Sequence, residues 1–558
     1  MADGMRIARD VDVPMRDGVQ LKADVFLPAS GPGAPALLAM GPYQKDKLWE
    51  PPPDLEEPAN PYMNWETVNP LWWTARGYAV MRIDTRGTGK SPGRTAIGGL
   101  QHAEDFYDAI EWTAAQPWCS GTIGTIGISW FAITQWHVAN LKPPSLKAMI
   151  PWEGAADRYR DARFHGGLFC QNYTQAWHTT HLAHHLIGRA SRNGLPLEDR
   201  FDTNLIRTVA SHSLDDGYWA PEQVDWKQLT IPFLSAGNWS GMGLHLRGNV
   251  EAYANAVNAP RKLRMHAGTH YHPFYEHASK EEQLRFFEHW LKGVANGVME
   301  EPPIKLGVRQ GGGGLVFRHE HEWPLARTRW TRQYLVLEPA TAPGGPAGRL
   351  ADQPAAAEAQ VTYNASGSSR AGRASASSTS VTDGKLDSSG IHLLSAPMAE
   401  DTEVTGPLAL RLWVSSTSED MDLFITPRHL DEQEQEVFEV GQQGYPVPVT
   451  KGWLRVSHRE LDPQKTLPHR PYHLHQRRLW LEPGEIVPVD VEVWPTSMVF
   501  RKGHRIRLDI QPRDGIGSGA FTHYVADYND GFNTIHAGGR YDSYLLLPVI
   551  PARHPAPG

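Results

Sequence analysis

Ser129 is the residue around which chemistry is most readily built. It lies in WCSGTIGTIGISWFA (118–132), where Gly, Ile and Thr alternate up to Ile128 and an apolar, helix-compatible run, WFAITQW, follows. A buried strand that turns sharply into a helix exposes the residue at its apex, which is how a chain presents a nucleophile. The pattern G-x-S-x-G is half met, with Gly127 two places before the serine, Phe131 two places after it and small Ala132 next. A serine hydroxyl attacks only if a base takes its proton, a carboxylate orients that base and donors meet the oxyanion. The strand-like KLRMHAGTHYHPFY offers His266, His270 and His272 as bases.

These residues need a sheet to hold them. The segments VQLKADVFLP and APALLAMGPY read as two strands, the second apolar enough to be central. After them come the helix-like LWWTARG, the strand YAVMRIDTRG, a helix over about 102–115, the strand before Ser129 and its helix, the strand LKAMIPWEG, the strand IPFLSAGN, a helix around 245–256 and KLRMHAG. Alternating strands and helices predict an α/β domain with a mostly parallel sheet. Residues 155–226, with AWHTTHLAHHLIGRA and FDTNLIRTVASH, predict a helical cap inserted over the end of that sheet. Helix signals fade after EQLRFFEHWLKG, and PLALRLWVSS, GEIVPVDVEVWP and HRIRLDIQP predict a β-sandwich. The expected domains are 1–154 with 227–300, the cap 155–226, and 301–558. The Ala, Gly, Pro and Ser-rich stretch 339–380 is expected to be a long surface loop.

A chain of 558 residues exceeds one core, and 40% hydrophobic residues with 20 Trp describe a globular protein. A net charge of −8 without a Lys/Arg block gives no footprint for nucleic acid. The N-terminus carries no apolar signal region and no run of about 18 apolar residues occurs, so a soluble, cytoplasmic protein without a membrane partner is expected. Cys119 and Cys170 cannot build a disulfide framework and read as buried thiols.

Several separated segments together resemble the cocaine esterase and X-Pro dipeptidyl-peptidase family of serine hydrolases: RDGVQLKADVFLP, GPYQKDK, RIDTRGTGKSPG, WCSGTIGTIGIS, DRYRD, FFEHWLKG, KGWLRVSHRE and GHRIRLDIQ. Their order and spacing cover nearly the whole chain. The resemblance implies an α/β-hydrolase domain followed by a jelly-roll, and the order serine then histidine agrees with it. It makes Tyr43 the hydroxyl that shares the oxyanion hole with the Trp130 N–H. It also implies a base a few residues after a glycine, which both His270 and His272 satisfy. His270 is preferred, because Pro273 disfavours helix and limits His272 to extended backbone; His266 lies within the strand.

The acid departs from the family. Where relatives carry Asp in a Gly-x-aromatic-Asp-Gly loop, this chain reads Gly237-Asn238-Trp239-Ser240-Gly241. A serine cannot stabilise an imidazolium as a carboxylate does. Glu153, at the C-terminal edge of LKAMIPWEG where active-site loops of parallel sheets gather, is expected to take over, with Glu251 and Asp157 as weaker candidates.

His178, His181 and His185 could share a helix face, but without a carboxylate or Cys pattern they do not make a metal site, so no metal is expected. RGTGKSPG lacks the spacing of a nucleotide loop and reads as a supporting turn, and no cofactor is implied. The sequence therefore points to a serine hydrolase that cleaves an ester or amide through an acyl-enzyme on Ser129. Trp130, Phe131, Trp152, Trp177 and Trp239 suggest a small-molecule substrate with a bulky or aromatic acyl group. Esterase, acylase, peptidase and acyltransferase share this constellation, although no carboxylate pair for a peptidase's amine is evident. Ser240 keeps open a ligand-binding protein on a hydrolase scaffold. The sandwich is compatible with a homodimer.

Overall fold

The computed structural model describes residues 3–31, 33–47, 49–53, 55–95, 99–183, 205–339, 346–365, 390–515, 519–523 and 531–551. Its first half is built on one sheet. β1 (Met5–Pro14) pairs antiparallel with β2 (Gln20–Pro28), and β2 pairs antiparallel with β4 (Ala79–Asp84). From β4 the sheet runs parallel through β3 (Ala34–Gly41), β5 (Cys119–Ile128), β6 (Leu146–Trp152), β9 (Phe233–Asn238), β10 (Arg261–His266) and β11 (Ile304–Arg309). The hairpin β7 (Phe164–His165) and β8 (Leu168–Phe169) lies outside that sheet. β3 and β4 are buried along their whole length, as expected of central strands covered on both faces. The parallel sheet continues through β11, past the expected boundary at residue 300.

Helices cover both faces: α1 (Pro70–Thr74), α2 (Gly99–Ala114) and α3 (Trp130–Asn140) are followed by Leu246–Asn255 and His277–Lys292. Two apolar clusters record this, one around Phe106, Trp136 and Phe233, the other around Trp73, Ile150 and Phe287. α3 is apolar nearly all round, and residues 130–139 are all buried. Among the described residues no helix is long and apolar enough to cross a membrane.

Beyond β11 the chain is mostly strands. The long strands Thr402–Ser416 and Val487–Phe500 pair antiparallel over most of their length, and Asp422–Leu430 pairs with Arg505–Gln511. Alternating Leu408, Leu410 and Leu412 face Val489, Val491 and Val493 in a separate core. Part of the stretch expected to be a loop is ordered instead. Gly348–Ala351 pairs with Arg329–Leu337, and Ala359–Asn364 pairs with Phe532–Ala537, where half-buried Val361 and buried Tyr363 alternate with exposed residues. Small residues predominate around these strands, but the local alternation suffices for pairing.

The two halves are pressed together at the β7–β8 hairpin. Gly166 lets the backbones close: the Arg455 N–H donates to its carbonyl at 2.8 Å, and a Cβ there would stand 2.0 Å from the Trp453 carbonyl oxygen. Arg247 crosses the boundary, pairing Asp161 at 3.0 Å and Glu492 at 2.9 Å.

Candidate active site

Ser129 occupies the sharp turn between β5 and α3 with φ 58° and ψ −113°, a conformation an L-residue adopts only when its surroundings enforce it. Its N–H is held by the carbonyls of Trp152 and Glu153, and its carbonyl accepts the N–H groups of Ala132 and Ile133. The large Phe131 is accommodated because glycines face it. A Cβ on Gly127 would meet Phe131 Cβ at 2.5 Å, and one on Gly41 would meet the Phe131 ring at 2.5 Å. The close approach usually served by a glycine two places after the serine is moved one place on, to Ala132 against Gly154.

The oxyanion donors expected from the sequence lie near the serine. Tyr43 follows β3 in a loop tied down by Asp84, whose carboxylate accepts the Lys45 N–H at 2.6 Å and the Lys90 N–H at 2.9 Å. A Cβ on Gly89 would strike that carboxylate, so RGTGKSPG is the supporting turn. The Tyr43 hydroxyl accepts from Trp177 Nε1 at 3.0 Å and reaches the Ser129 side chain. Burial raises its pKa well above that of a free phenol, which keeps it a donor. The Trp130 N–H is at the first position of α3, where an amide has no intrahelical acceptor.

The imidazole on the serine is His245, with Nε2 3.1 Å from Ser129 Oγ, and not His270. His245 sits at the start of the helix Leu246–Asn255, in the loop after β9, and is 2% exposed. Its Nδ1 lies 3.1 Å from Gln442 Oε1 and 4.0 Å from Glu153 Oε2. Nothing in the sequence pattern singled it out. The available signal was a histidine at a helix start, in the loop after an apolar strand of the sheet.

His270 stacks on His245, ring centroids 5.1 Å apart and planes 7° apart. Its Nδ1 is 2.6 Å from Glu153 Oε2 and its Nε2 3.0 Å from Glu66 Oε1. Burial opposes charge on His270, but the two carboxylates overcome it and push its pKa up to about 10. Glu153 is fully buried at the end of β6 with φ 49°, and besides His270 it accepts from His266 Nε2 at 2.9 Å and Asn238 Nδ2 at 3.1 Å. Burial would raise its pKa, yet His270 and His266 bring it down to about 2. Burial, joined by the charge of His270, pulls His245 down to about 3, so it is neutral near pH 7. Glu66, which the sequence did not suggest, is raised by burial against the opposing pull of His270.

Other candidates have other partners. Glu251 holds Arg470 at 2.8 Å and Asp157 holds Arg160 at 2.8 Å, so neither carboxylate is engaged with the histidines. Among the described residues the buried Ser240 hydroxyl has no hydrogen-bond partner, while its N–H donates to Asn238 Oδ1. His272 begins the short helix His272–Tyr275 and contacts Thr269 Oγ1 at 2.6 Å. Pro273 is compatible with that helix because the first turn needs no N–H donor there, which corrects the extended backbone expected for His272. Trp152 and Trp239 are fully buried: the first stacks on His266 and the second donates to the Gly307 carbonyl. They belong to the core, whereas Trp130 and Trp177 stack on each other beside Tyr43. His178 and His181 lie in a π-helical turn, Trp177–Ala183, and His185 lies outside the described residues.

Among the described residues, three groups of side chains bring metal-ligand atoms within 4.8 Å of one another. In one, Glu153, His245 and His270 are engaged as described. In the second, His165 Nε2 meets the Asp161 carbonyl at 3.0 Å, His165 Nδ1 meets His523 Nε2 at 2.7 Å, and His523 Nδ1 meets Asp514, with Cys170 alongside. These contacts already occupy each of those nitrogens. In the third, Asp10, Asp24 and Asp46 surround the Lys45 ammonium.

Comparison with known proteins agrees with this architecture. Residues 17–272 match the X-Pro dipeptidyl-peptidase (S15) family, and residues 296–546 match the X-Pro dipeptidyl-peptidase C-terminal non-catalytic domain. The chain is 27% identical to the cocaine esterase of Rhodococcus sp. (strain MB1 Bresler), over 99% of this chain and all of that one. A solved CocE/NonD family hydrolase from Staphylococcus aureus is 31% identical, covers 98% of this chain and 94% of its own, and superposes with a TM-score of 0.85. An aminopeptidase from a Thaumarchaeota archaeon shares the fold, with a TM-score of 0.70 at 17% identity over 98% of this chain and 97% of its own.

Proposed function

The chain belongs to the CocE/NonD family of hydrolases, and from that premise we propose that it cleaves a carboxylic ester or amide through an acyl-enzyme on Ser129, with His245 as the base. The observation that carries this is the 3.1 Å contact between Ser129 Oγ and His245 Nε2 beside the Tyr43 hydroxyl. Neutral His245 accepts the serine proton at Nε2 while its Nδ1–H stays on Gln442 Oε1, which fixes the tautomer. The serine oxygen bonds to the acyl carbon, and the carbonyl oxygen gains charge between the Tyr43 O–H and the Trp130 N–H. His245 then returns the proton to the leaving group, and water repeats the sequence to release the acid.

Charge balance explains two carboxylates beside two imidazoles. With His270 protonated, Glu153 and Glu66 leave the cluster at about one negative charge, and protonation of His245 brings it to neutrality. Glu153 is thus the acid of this site, acting on His270 directly and on His245 across 4.0 Å. A second reading makes His270 the base. It is favoured by the carboxylate on His270 Nδ1, the arrangement of a catalytic imidazole, and requires Nε2 to leave Glu66 for Ser129.

Domain assignments follow the same proposal: a hydrolase domain over 1–154 and 227–300 carried on by β11, a cap over 155–226 and a jelly-roll over the rest. An ester acyl group of aromatic character fits the Trp130–Trp177 stack. Intact-mass labelling with a fluorophosphonate tests the proposal. One adduct per chain, absent in Ser129→Ala, is expected; folded protein that takes up none contradicts it.

A further inference from the structure

The π-helical turn Tyr159–Arg163 that follows β6 and its preceding residue carry three buried arginines, and two have carboxylates. Arg158 pairs with Glu222 at 3.1 Å, and Arg160 pairs with Asp157 and Asp215 at 2.8 Å each. Arg163 is different. It is 2% exposed, and among the described residues no carboxylate lies within ion-pair distance of it. Its Nη1 donates to Thr174 Oγ1 at 3.0 Å, while its buried Nε has no partner among the described residues. Glu222 acts on it only from a distance and already holds Arg158, so one carboxylate serves two guanidiniums. Burial lowers the Arg163 pKa to about 10, which leaves it charged at neutral pH.

A buried cation without a carboxylate is costly, and the carboxylate of a bound ligand would supply the missing charge. Arg163 is joined to the oxyanion tyrosine through Trp177. Its guanidinium lies 5.5 Å from the Trp177 ring centre and 5.7 Å from that of Tyr173. Trp177 Nε1 in turn holds the Tyr43 hydroxyl at 3.0 Å, and Tyr173 lies within electrostatic range of Arg163, Glu66 and Tyr43. The two aromatic faces hold the guanidinium in place, and its planar fork matches the geometry of a carboxylate.

We infer that Arg163 anchors a carboxylate carried by the substrate, so that the esters or amides cleaved at Ser129 are those of carboxylate-bearing molecules. This rests on the hydrolase proposal above. The test uses two matched pairs: the p-nitrophenyl monoester of glutarate against p-nitrophenyl valerate, and 4-butyryloxybenzoate against phenyl butyrate. In one pair the charged member is expected to have a kcat/KM about 10-fold or more above its neutral mate, the scale of a charged hydrogen bond. Arg163→Met brings that ratio to about one, and Arg163→Lys keeps part of it. Because the variant removes an unpaired buried charge, its Tm does not fall. Charged members that are not preferred in either pair, or a preference that survives in Arg163→Met, overturn the inference. Calorimetry of glutarate and benzoate with Ser129→Ala, and with Ser129→Ala/Arg163→Met, separates the two proposals. Arg163-dependent binding in a protein that never labels at Ser129 sinks only the hydrolase reading, and turnover of neutral esters without such binding sinks only the inference about Arg163.

Discussion

Replacing Gln442 by glutamate would put a carboxylate where His245 Nδ1 now has a neutral amide at 3.1 Å. At an effective dielectric constant of about 20, charges about 3–4 Å apart attract by about 4–5 kcal/mol, equivalent to a rise of about 3 pKa units. Gln442 is 7% exposed and Glu153 lies 4.0 Å from the same His245 nitrogen, so desolvation and repulsion consume part of that. A net rise of about 1–2 units in His245, from the value of about 3 set by burial and His270, is the expected result. The assay is kcat/KM on a neutral p-nitrophenyl ester across acidic to neutral pH, where the acid limb of Gln442→Glu should move up by that amount. Gln442→Leu should lower kcat/KM about 10-fold or more and move the limb in the opposite direction, to lower pH, because the bond that holds the tautomer also favours the charged ring. If the Gln442→Glu and wild-type limbs coincide, the imidazole that takes the serine proton is not the one Gln442 holds. Gln442 lies in the stretch that matches a domain described as non-catalytic, so a shift would also bring that domain into the chemistry.

Three further outcomes are expected. Tyr43→Phe removes one of two oxyanion donors and should reduce kcat about 10²–10³-fold with little change in KM, read from steady-state kinetics. Glu153→Gln should destabilise the fold most between about pH 4.5 and 6.5. The Glu153 contribution is present above its unfolded pKa of 4.5 and lost as pH falls through about 2, and that of His270 is complete below 6.5 and lost as pH rises through about 10; Tm against pH for both proteins measures it. Gly166→Ala forces a Cβ onto the Trp453 carbonyl at a backbone φ of 55° and should cost about 1–3 kcal/mol in denaturant unfolding.

What the sequence disclosed was local. The strand, serine and helix around Ser129 are contiguous, Tyr43 follows an apolar strand directly, and Glu153 ends one, so each is marked by its neighbours. His245, Glu66 and Gln442 are marked by nothing nearby. They come from a helix start, from the long connection between β3 and α1, and from the second half of the chain, and they meet only because the sheet and the strand-rich half close over one another. The choice between His270 and His272 relied on Pro273 as a helix breaker, although a proline in a first helical turn breaks nothing. The aromatic residues near the motifs showed the same limit. Composition could not separate Trp152 and Trp239, which are fully buried in the core, from Trp130 and Trp177, which face each other near the serine.

The most direct test of the central claim compares the rate at which a fluorophosphonate labels Ser129 in wild type, His245→Gln and His270→Gln, each checked for folding by circular dichroism. With His245 as the base, His245→Gln should slow labelling about 10³-fold or more, and His270→Gln at least ten times less than that. Labelling that survives in His245→Gln but disappears in His270→Gln would contradict the claim and make His270 the base.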